Sequence, residues 1–230
     1  MPKFVSQGRP TSPAQEDYLK AIYRLAGFAG SAAVSTSQLA EELTVSPGSV
    51  SEMFGKLAAL DLVTHDPYRG ARLSAAGLRI AIEMTRHHRL IETYLVVALG
   101  YGWDEVHEEA DRLEHAISER LEERMWRALG EPAFDPHGDP IPTPDFEVHQ
   151  PPTQPLHAVP TGATVRISRI SDRDPAKLRA VQALGLTPGR PVRIVQASQW
   201  ESPVVVDREG EAIPVALGLA RAIFVEDRRG

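Results

Sequence analysis

Nine prolines fall between residues 131 and 160, in EPAFDPHGDPIPTPDFEVHQPPTQPLHAVP. A segment so dense in residues that lack an N–H and lock φ cannot run as helix or as interior strand. It reads as an extended linker, and it forces the 230-residue chain to fold as separate units on either side of it. With 42% hydrophobic residues the chain has enough apolar material for two or three compact cores.

Ahead of the linker the apolar spacing is helical. Tyr18, Leu19, Ile22, Tyr23 and Leu25 mark a first helix over 15–26, ended by the glycines at 27 and 30. Ser35 or Ser37 caps a short helix to Leu43, and Ser46-Pro47 opens another to about Leu60, proline suiting the first helical position. VTHDPYRGARLS then reads as two short strands around a turn. Helix, helix, turn, helix and hairpin make a winged helix-turn-helix. Ser74 caps a long helix to Leu99, and Asp104 caps a further one expected to run unbroken to Leu129. Their apolar stripes are too long for a small domain to cover, which points to an intersubunit helical interface. Beyond the linker, VRISRI, PVRIVQ, PVVVDREG and AIFVED are strands, with a short helix near 175–184. The expected fold is mainly α with a small C-terminal β-barrel.

Cysteine is absent, so disulfides and thiolate chemistry are excluded, and any metal must be held by oxygen and imidazole. No run is apolar and long enough for a membrane span or a signal-peptide core, and a cytoplasmic protein without membrane association is the expectation. The net charge of −6 opposes constitutive nucleic-acid binding, yet the first 75 residues balance seven basic against seven acidic side chains. The acidic excess is concentrated in DEVHEEADRLEHAISERLEE, over 104–123.

That acidic stretch carries the chemistry. In HEEADRLEH, His107, Asp111, Glu114 and His115 share one face if the segment is helical. His88 and Glu92 stand one turn apart on the preceding helix. Six ligands of these types between two helices describe a metal site, since charge on an inward stripe is costly unless paired or metal-bound. Asp104, Glu105, Glu108, Glu109, Glu119, Glu122 and Glu123 are assigned to the wet surface. For DNA, Ser46, Ser49, Ser51, Glu52 and Lys56 lie on the expected recognition helix, and Arg69 and Arg72 on the wing. No glycine-rich phosphate loop, GxSxG elbow or HExxH is present, so neither an enzyme nor a small organic substrate is expected. A carboxylate-bridged di-metal enzyme is the alternative from another class, but it lacks a second Glu-x-x-His pair. A metal-independent DNA-binding or scaffold protein whose β unit binds a peptide is the third.

QEDYLKAIYRL, VSPGSVSEMFGKLAALDLV, YRGARLSAAG, RHHRLIETYLVVALGYGWDEVHEEADRLEH and PHGDPIP together make the chain resemble the diphtheria toxin repressor family of metalloregulators, most closely its manganese-responsive members. The resemblance spans essentially the whole chain, including a C-terminal SH3-like (FeoA-type) domain. It implies a homodimer that represses metal-uptake genes by binding operator DNA when Mn²⁺ is plentiful. Fe²⁺ is the alternative ion, and Co²⁺, Ni²⁺, Zn²⁺ or Cd²⁺ are substitutes in vitro. The implied domains are a winged helix-turn-helix over 1–74, a metal-binding and dimerisation domain over 75–145, a Pro-rich linker over 146–160 and the SH3-like domain over 161–230. Carried over by position, the primary metal site is Asp17, Asp111, Glu114 and His115. The ancillary site is His88, Glu92 and His107, completed by Asp174 or else Asp172. Iron-type members carry Met where this chain has Asp17 and Cys where it has Asp111. Short manganese regulators have a second carboxylate one turn after Asp17, where this chain has Lys20, a departure from the pattern behind their dinuclear site.

Overall fold

The computed structural model describes residues 11–27, 32–171, 174–200 and 202–227. Its helices are α1 (Pro13–Leu25), α2 (Thr36–Leu43), α3 (Pro47–Ala59), α4 (Ala75–Leu99), α5 (Val106–Leu113), α6 (Glu119–Ala128), α7 (Pro175–Ala183) and α8 (Leu217–Ala220). Its strands are β1 (Val63–Asp66), β2 (Gly70–Leu73), β3 (Gln154–Pro155), β4 (Thr164–Ile170), β5 (Pro191–Gln196), β6 (Val204–Arg208), β7 (Glu211–Val215) and β8 (Ile223–Asp227). The chain divides into two compact units. One is Met1–His88 with Arg112–Arg124 and Pro142–Val148; the other is Arg89–Asp111 with Met125–Ile141 and His149–Gly230. No described helix is long and apolar enough to cross a membrane.

The first unit is built on local caps. Ser12 and Gln15 form a capping box that starts α1 at Pro13, ahead of the residue 15 start that the apolar spacing indicates. Ser35 with Gln38 does the same for α2, and Ser46 caps α3 with Pro47 at its first position. These helices close over Leu19, Ile22, Tyr23, Leu39, Val50, Phe54 and Leu57, all essentially inaccessible. β1 and β2 pair antiparallel, and Val34 bridges to Ala71 beside them. Gly70, at φ +87°, lies so close to this bridge that a Cβ would stand 2.0 Å from the Val34 carbonyl oxygen.

The helix expected from Asp104 to Leu129 is broken. It is α5 and α6, separated by a turn at residues 114–118 in which Ser118 accepts from the Leu121 amide and caps the second piece. Glu114 and His115 therefore sit in a turn rather than on a helical face. The turn frees the buried Glu114 side chain from helical geometry, so it can meet partners on α1 and α4.

The second unit holds a six-stranded antiparallel sheet in the order β3-β8-β4-β5-β6-β7. Alternation along β5 buries Val192 and Ile194 and exposes Pro191 and Arg193. Ile167, Ile170, Val181, Leu186, Val204 and Val206 fill the core. Among the described residues no pairing joins β3 to β7, so the sheet is open where a barrel was expected. Trp103, just before α5, packs on this core and donates its indole N–H to Gln182 at 2.9 Å.

Between residues 135 and 142 the Pro-rich segment is not the extended linker its composition implies. Residues 135–142 are almost continuously buried. Asp135 accepts from the amides of His137 and Asp139, both at 2.9 Å, and the Asp135 amide donates back to the Asp139 carbonyl. Proline removes some of the donors that would otherwise need partners; the Asp135 carboxylate takes two of those that remain, and backbone carbonyls take the Asp135, Gly138 and Ile141 amides. Gly138, at φ +88°, passes so near β4 that a Cβ would lie 2.0 Å from the Ser168 oxygen.

Candidate metal centre

Two groups of ligand-bearing side chains stand out, one in each unit. In the first, α1 delivers Glu16, Asp17 and Lys20, and the turn after α5 delivers Glu114 and His115. His115 is the hinge of the group. Its Nδ1 lies 2.7 Å from Glu16 Oε2, and its Nε2 lies 3.0 Å from Asp17 Oδ1 and 3.6 Å from Glu114 Oε1. Glu16 is buried and is itself held by the Thr11 hydroxyl at 2.8 Å. An imidazole that gives its Nδ1–H to Glu16 presents Nε2 to Asp17 and Glu114, the arrangement by which a carboxylate fixes the tautomer of a metal-binding histidine.

Glu114 is fully buried and accepts from His88 Nδ1 at 2.6 Å and from Lys20 Nζ at 2.6 and 2.8 Å. Burial pushes its pKa up, but the His88 hydrogen bond and the Lys20 charge outweigh this and hold the carboxyl below its ordinary value. For Asp17 burial wins, and its pKa is raised despite His115 and Lys20. One donor atom each from Asp17, Glu114 and His115 fall within 4.8 Å of one another. Two hard oxygens and an imidazole at that spacing fit a divalent ion.

In the second unit Glu92, Asp135 and His137 form another such trio, all three buried. His137 Nε2 donates to the Trp103 carbonyl at 2.7 Å, leaving Nδ1 facing Glu92 Oε2 at 3.5 Å. Burial opposes charge on His137, but Glu92, Asp135 and the Trp103 carbonyl overcome it and push its pKa up to about 9. Burial, with Asp139 and Glu92 nearby, also raises Asp135 well above its usual range. Buried carboxylates of this density with a backbone-oriented imidazole fit a cation. His107 adds its Nδ1 at 3.2 Å from the other Glu92 oxygen.

Of the expected primary set, Asp17, Glu114 and His115 come together; Asp111 is an exposed residue of α5 with its carboxylate 3.8 Å from His107 Nε2. Of the expected ancillary set, Glu92 and His107 are paired, and His88 is bound to Glu114 one turn earlier on α4. Asp174 is the N-cap of α7, accepting from the amides of Ala176 and Lys177; those bonds lower its pKa. Asp172 lies outside the described residues. Sequence reasoning missed Asp135 and His137, whose signal was an Asp-Pro-His-Gly run with no surface reason for a histidine. It also misplaced Glu122, assigned to the wet surface. Glu122 is buried, bound to Arg86 Nε and 3.1 Å from His87 Nε2, while His87 Nδ1 meets the Glu114 carbonyl at 3.1 Å.

The DNA-facing candidates are exposed. Ser46, Ser49, Ser51, Glu52 and Lys56 line the outer face of α3, with Ser46 accepting from the Ser49 amide and Lys56 paired to Glu52 at 2.7 Å. Arg69 is at the wing tip and Arg72 on β2, both exposed.

Three family models match in series: the iron dependent repressor N-terminal DNA binding domain over 11–71, the iron dependent repressor metal binding and dimerisation domain over 74–143, and the FeoA domain over 154–227. The iron-dependent repressor IdeR of Mycobacterium leprae is 29% identical, over 92% of this chain and 96% of its own. The HTH-type transcriptional regulator MntR of Shouchella clausii is 36% identical, over 46% of this chain and 73% of its own. A solved manganese-dependent transcriptional repressor in complex with manganese superposes with a TM-score of 0.85 at 40% identity, covering 93% of this chain and 99% of that one.

Proposed function

From the premise that this chain belongs to the iron-dependent repressor family, and so is a metal-dependent transcriptional repressor that binds DNA and not an enzyme, we propose that it answers to manganese through the Asp17, Glu114 and His115 centre. The observation that carries this reading is His115, held between Glu16 and Asp17 of α1 while its neighbour Glu114 is buried beside them. α1 belongs to the helix-turn-helix core, so a ligand set shared between α1 and the turn at 114–118 ties the DNA-reading helices to the rest of their unit. A bound divalent ion supplies positive charge that relieves repulsion among these carboxylates. Glu16 orients the imidazole, His115 and Asp17 link turn to helix, and Glu114 closes the group from within.

Oxygen and imidazole donors suit manganese, and the chain has no thiolate for softer ions. Selectivity over Fe²⁺ then rests on geometry and availability, because raw affinity favours iron. The iron reading is kept as a second one because iron-dependent repressors are among the full-length relatives. Glu92, Asp135 and His137, with His107, serve as the second metal centre. The chain acts as a homodimer on double-stranded operator DNA, the exposed serines and Lys56 of α3 in the major groove and Arg69 and Arg72 on phosphates.

Operator gel shifts titrated with chelator and single metals test this. Mn²⁺ restores binding, and Asp17→Ala abolishes the metal response while leaving the dimer intact. Activation by Fe²⁺ at far lower free concentration defeats the manganese assignment, and a fully manganese-dependent Asp17→Ala defeats the α1 linkage. By linkage, DNA tightens metal binding by the factor with which metal tightens DNA binding.

A further inference from the structure

Lys20 lies one helical turn beyond Asp17 on α1, and its ammonium donates to both oxygens of the fully buried Glu114, at 2.6 and 2.8 Å. His88 Nδ1 is 3.5 Å from the same ammonium. The lone pairs of Glu114 that would serve a divalent ion therefore already face a cation carried by the chain. We propose that Lys20 is a tethered competitor for the first metal centre, an internal ammonium that sets the ion concentration at which the centre fills. This inference rests on the reading of Asp17, Glu114 and His115 as metal ligands.

The physical case is one of exchange. Glu16, Asp17 and Glu114 crowd round one imidazole, and a carboxylate as buried as Glu114 needs a counter-charge. Lys20 provides it. An incoming ion must either displace the ammonium from Glu114 or bind beside it against like-charge repulsion, and either course weakens metal binding. A lysine suits the role because its point charge rides on a flexible four-carbon stem that can swing out, and its side chain keeps 19% of its surface in contact with solvent. A guanidinium would grip both oxygens in a fixed fork and release them less readily. The competition acts through charge and not through ligand type, so it offsets every divalent ion alike. It sets a threshold and does not choose the metal.

The test uses the full chain, stripped with chelator and titrated calorimetrically at one fixed pH with Mn²⁺ alone and with Zn²⁺ alone. The binding step lost in Asp17→Asn is assigned to this centre. In Lys20→Gln that step should tighten for both ions by about tenfold or more, about 1.4 kcal/mol, whereas Lys20→Arg should bind no tighter than the unaltered protein. The metal-free melting temperature of Lys20→Gln should fall and its rise on adding Mn²⁺ should grow. If Lys20→Gln does not fold without metal, Lys20→Met titrated under the same conditions decides the affinity. Affinity unchanged or weaker in the folded neutral variant overturns the inference alone, as does tightening for one ion only. Absence in the unaltered protein of any step that Asp17→Asn removes overturns the metal centre itself, and the inference with it.

Discussion

Glu122→Gln tests the buried charge network behind the first metal centre. The side chains of Arg86, His87 and Glu122 are 3%, 0% and 8% exposed, so the carboxylate is compensated within the protein and not by water. It accepts from Arg86 Nε through one oxygen and meets His87 Nε2 at 3.1 Å through the other, while Arg86 also reaches the Pro142 carbonyl. Glutamine preserves the shape but offers one acceptor, and it turns an NH₂ group toward a donor. Removing one partner of a buried ion pair costs roughly 3–5 kcal/mol, and the acceptor that survives places this change near the lower end, about 3 kcal/mol. At about 2–4 °C per kcal/mol for a chain of this size, the melting temperature should drop by roughly 6–12 °C. Burial raises the Glu122 pKa, but the His87 hydrogen bond and the Arg86 and His87 charges prevail and hold it below the ordinary 4.5. A folded-state pKa below the unfolded one contributes stability that is complete above the unfolded value and is lost as pH falls through the folded value. The gap between the two proteins, followed by circular dichroism during heating in chelator, should therefore persist from pH 7 to about 5 and narrow below about 4.5. A drop of less than about 2 °C at pH 7, or a gap that widens from pH 5 to 4, would refute the reasoning.

Gly70→Ala should separate the wing from Val34, because the new methyl carbon would stand 2.0 Å from a backbone oxygen at a φ of +87°; about 2–4 kcal/mol of stability and most operator affinity should be lost, as read by melting and gel shift, and near-native values would contradict the close approach. Glu16→Gln leaves His115 without its orienting carboxylate, so Mn²⁺ affinity at the first centre should weaken about 10–100-fold in calorimetry, and an unchanged isotherm would remove Glu16 from the site. Arg72→Ala should weaken operator binding and reduce the slope of log affinity against log salt by about 0.9, with metal affinity of the free protein unchanged; an unchanged slope would take Arg72 off the phosphates.

The local signals that were readable are ones in which the partner of a residue is its near neighbour in sequence. Ser35, Ser46 and Pro47 act within one turn of themselves, so α2 and α3 begin where those residues indicate. Gly70 closes a hairpin four residues long on either side, and VRISRI and PVRIVQ carry the two-residue alternation of half-buried strands. The types of side chain that gather at the metal centres were also apparent, since carboxylates and histidines interrupting an apolar stripe need a reason to be there. Tertiary structure decided which of them meet. The break between α5 and α6 has only the Ser118 cap as a local signal in AISER, and its reason is tertiary, because Glu114 turns inward to Lys20 and His88, 94 and 26 residues away. Glu122 has the composition of a wet helix, and Arg86 buries it from 36 residues away. Asp135 and His137 lie in a segment whose prolines exclude regular structure but say nothing about burial; Glu92 and the Trp103 carbonyl draw that segment inward. Propensity and capping are energies of neighbours along the chain, whereas the cost of a buried charge depends on whatever counter-charge the fold brings to it, and no window of sequence contains that partner.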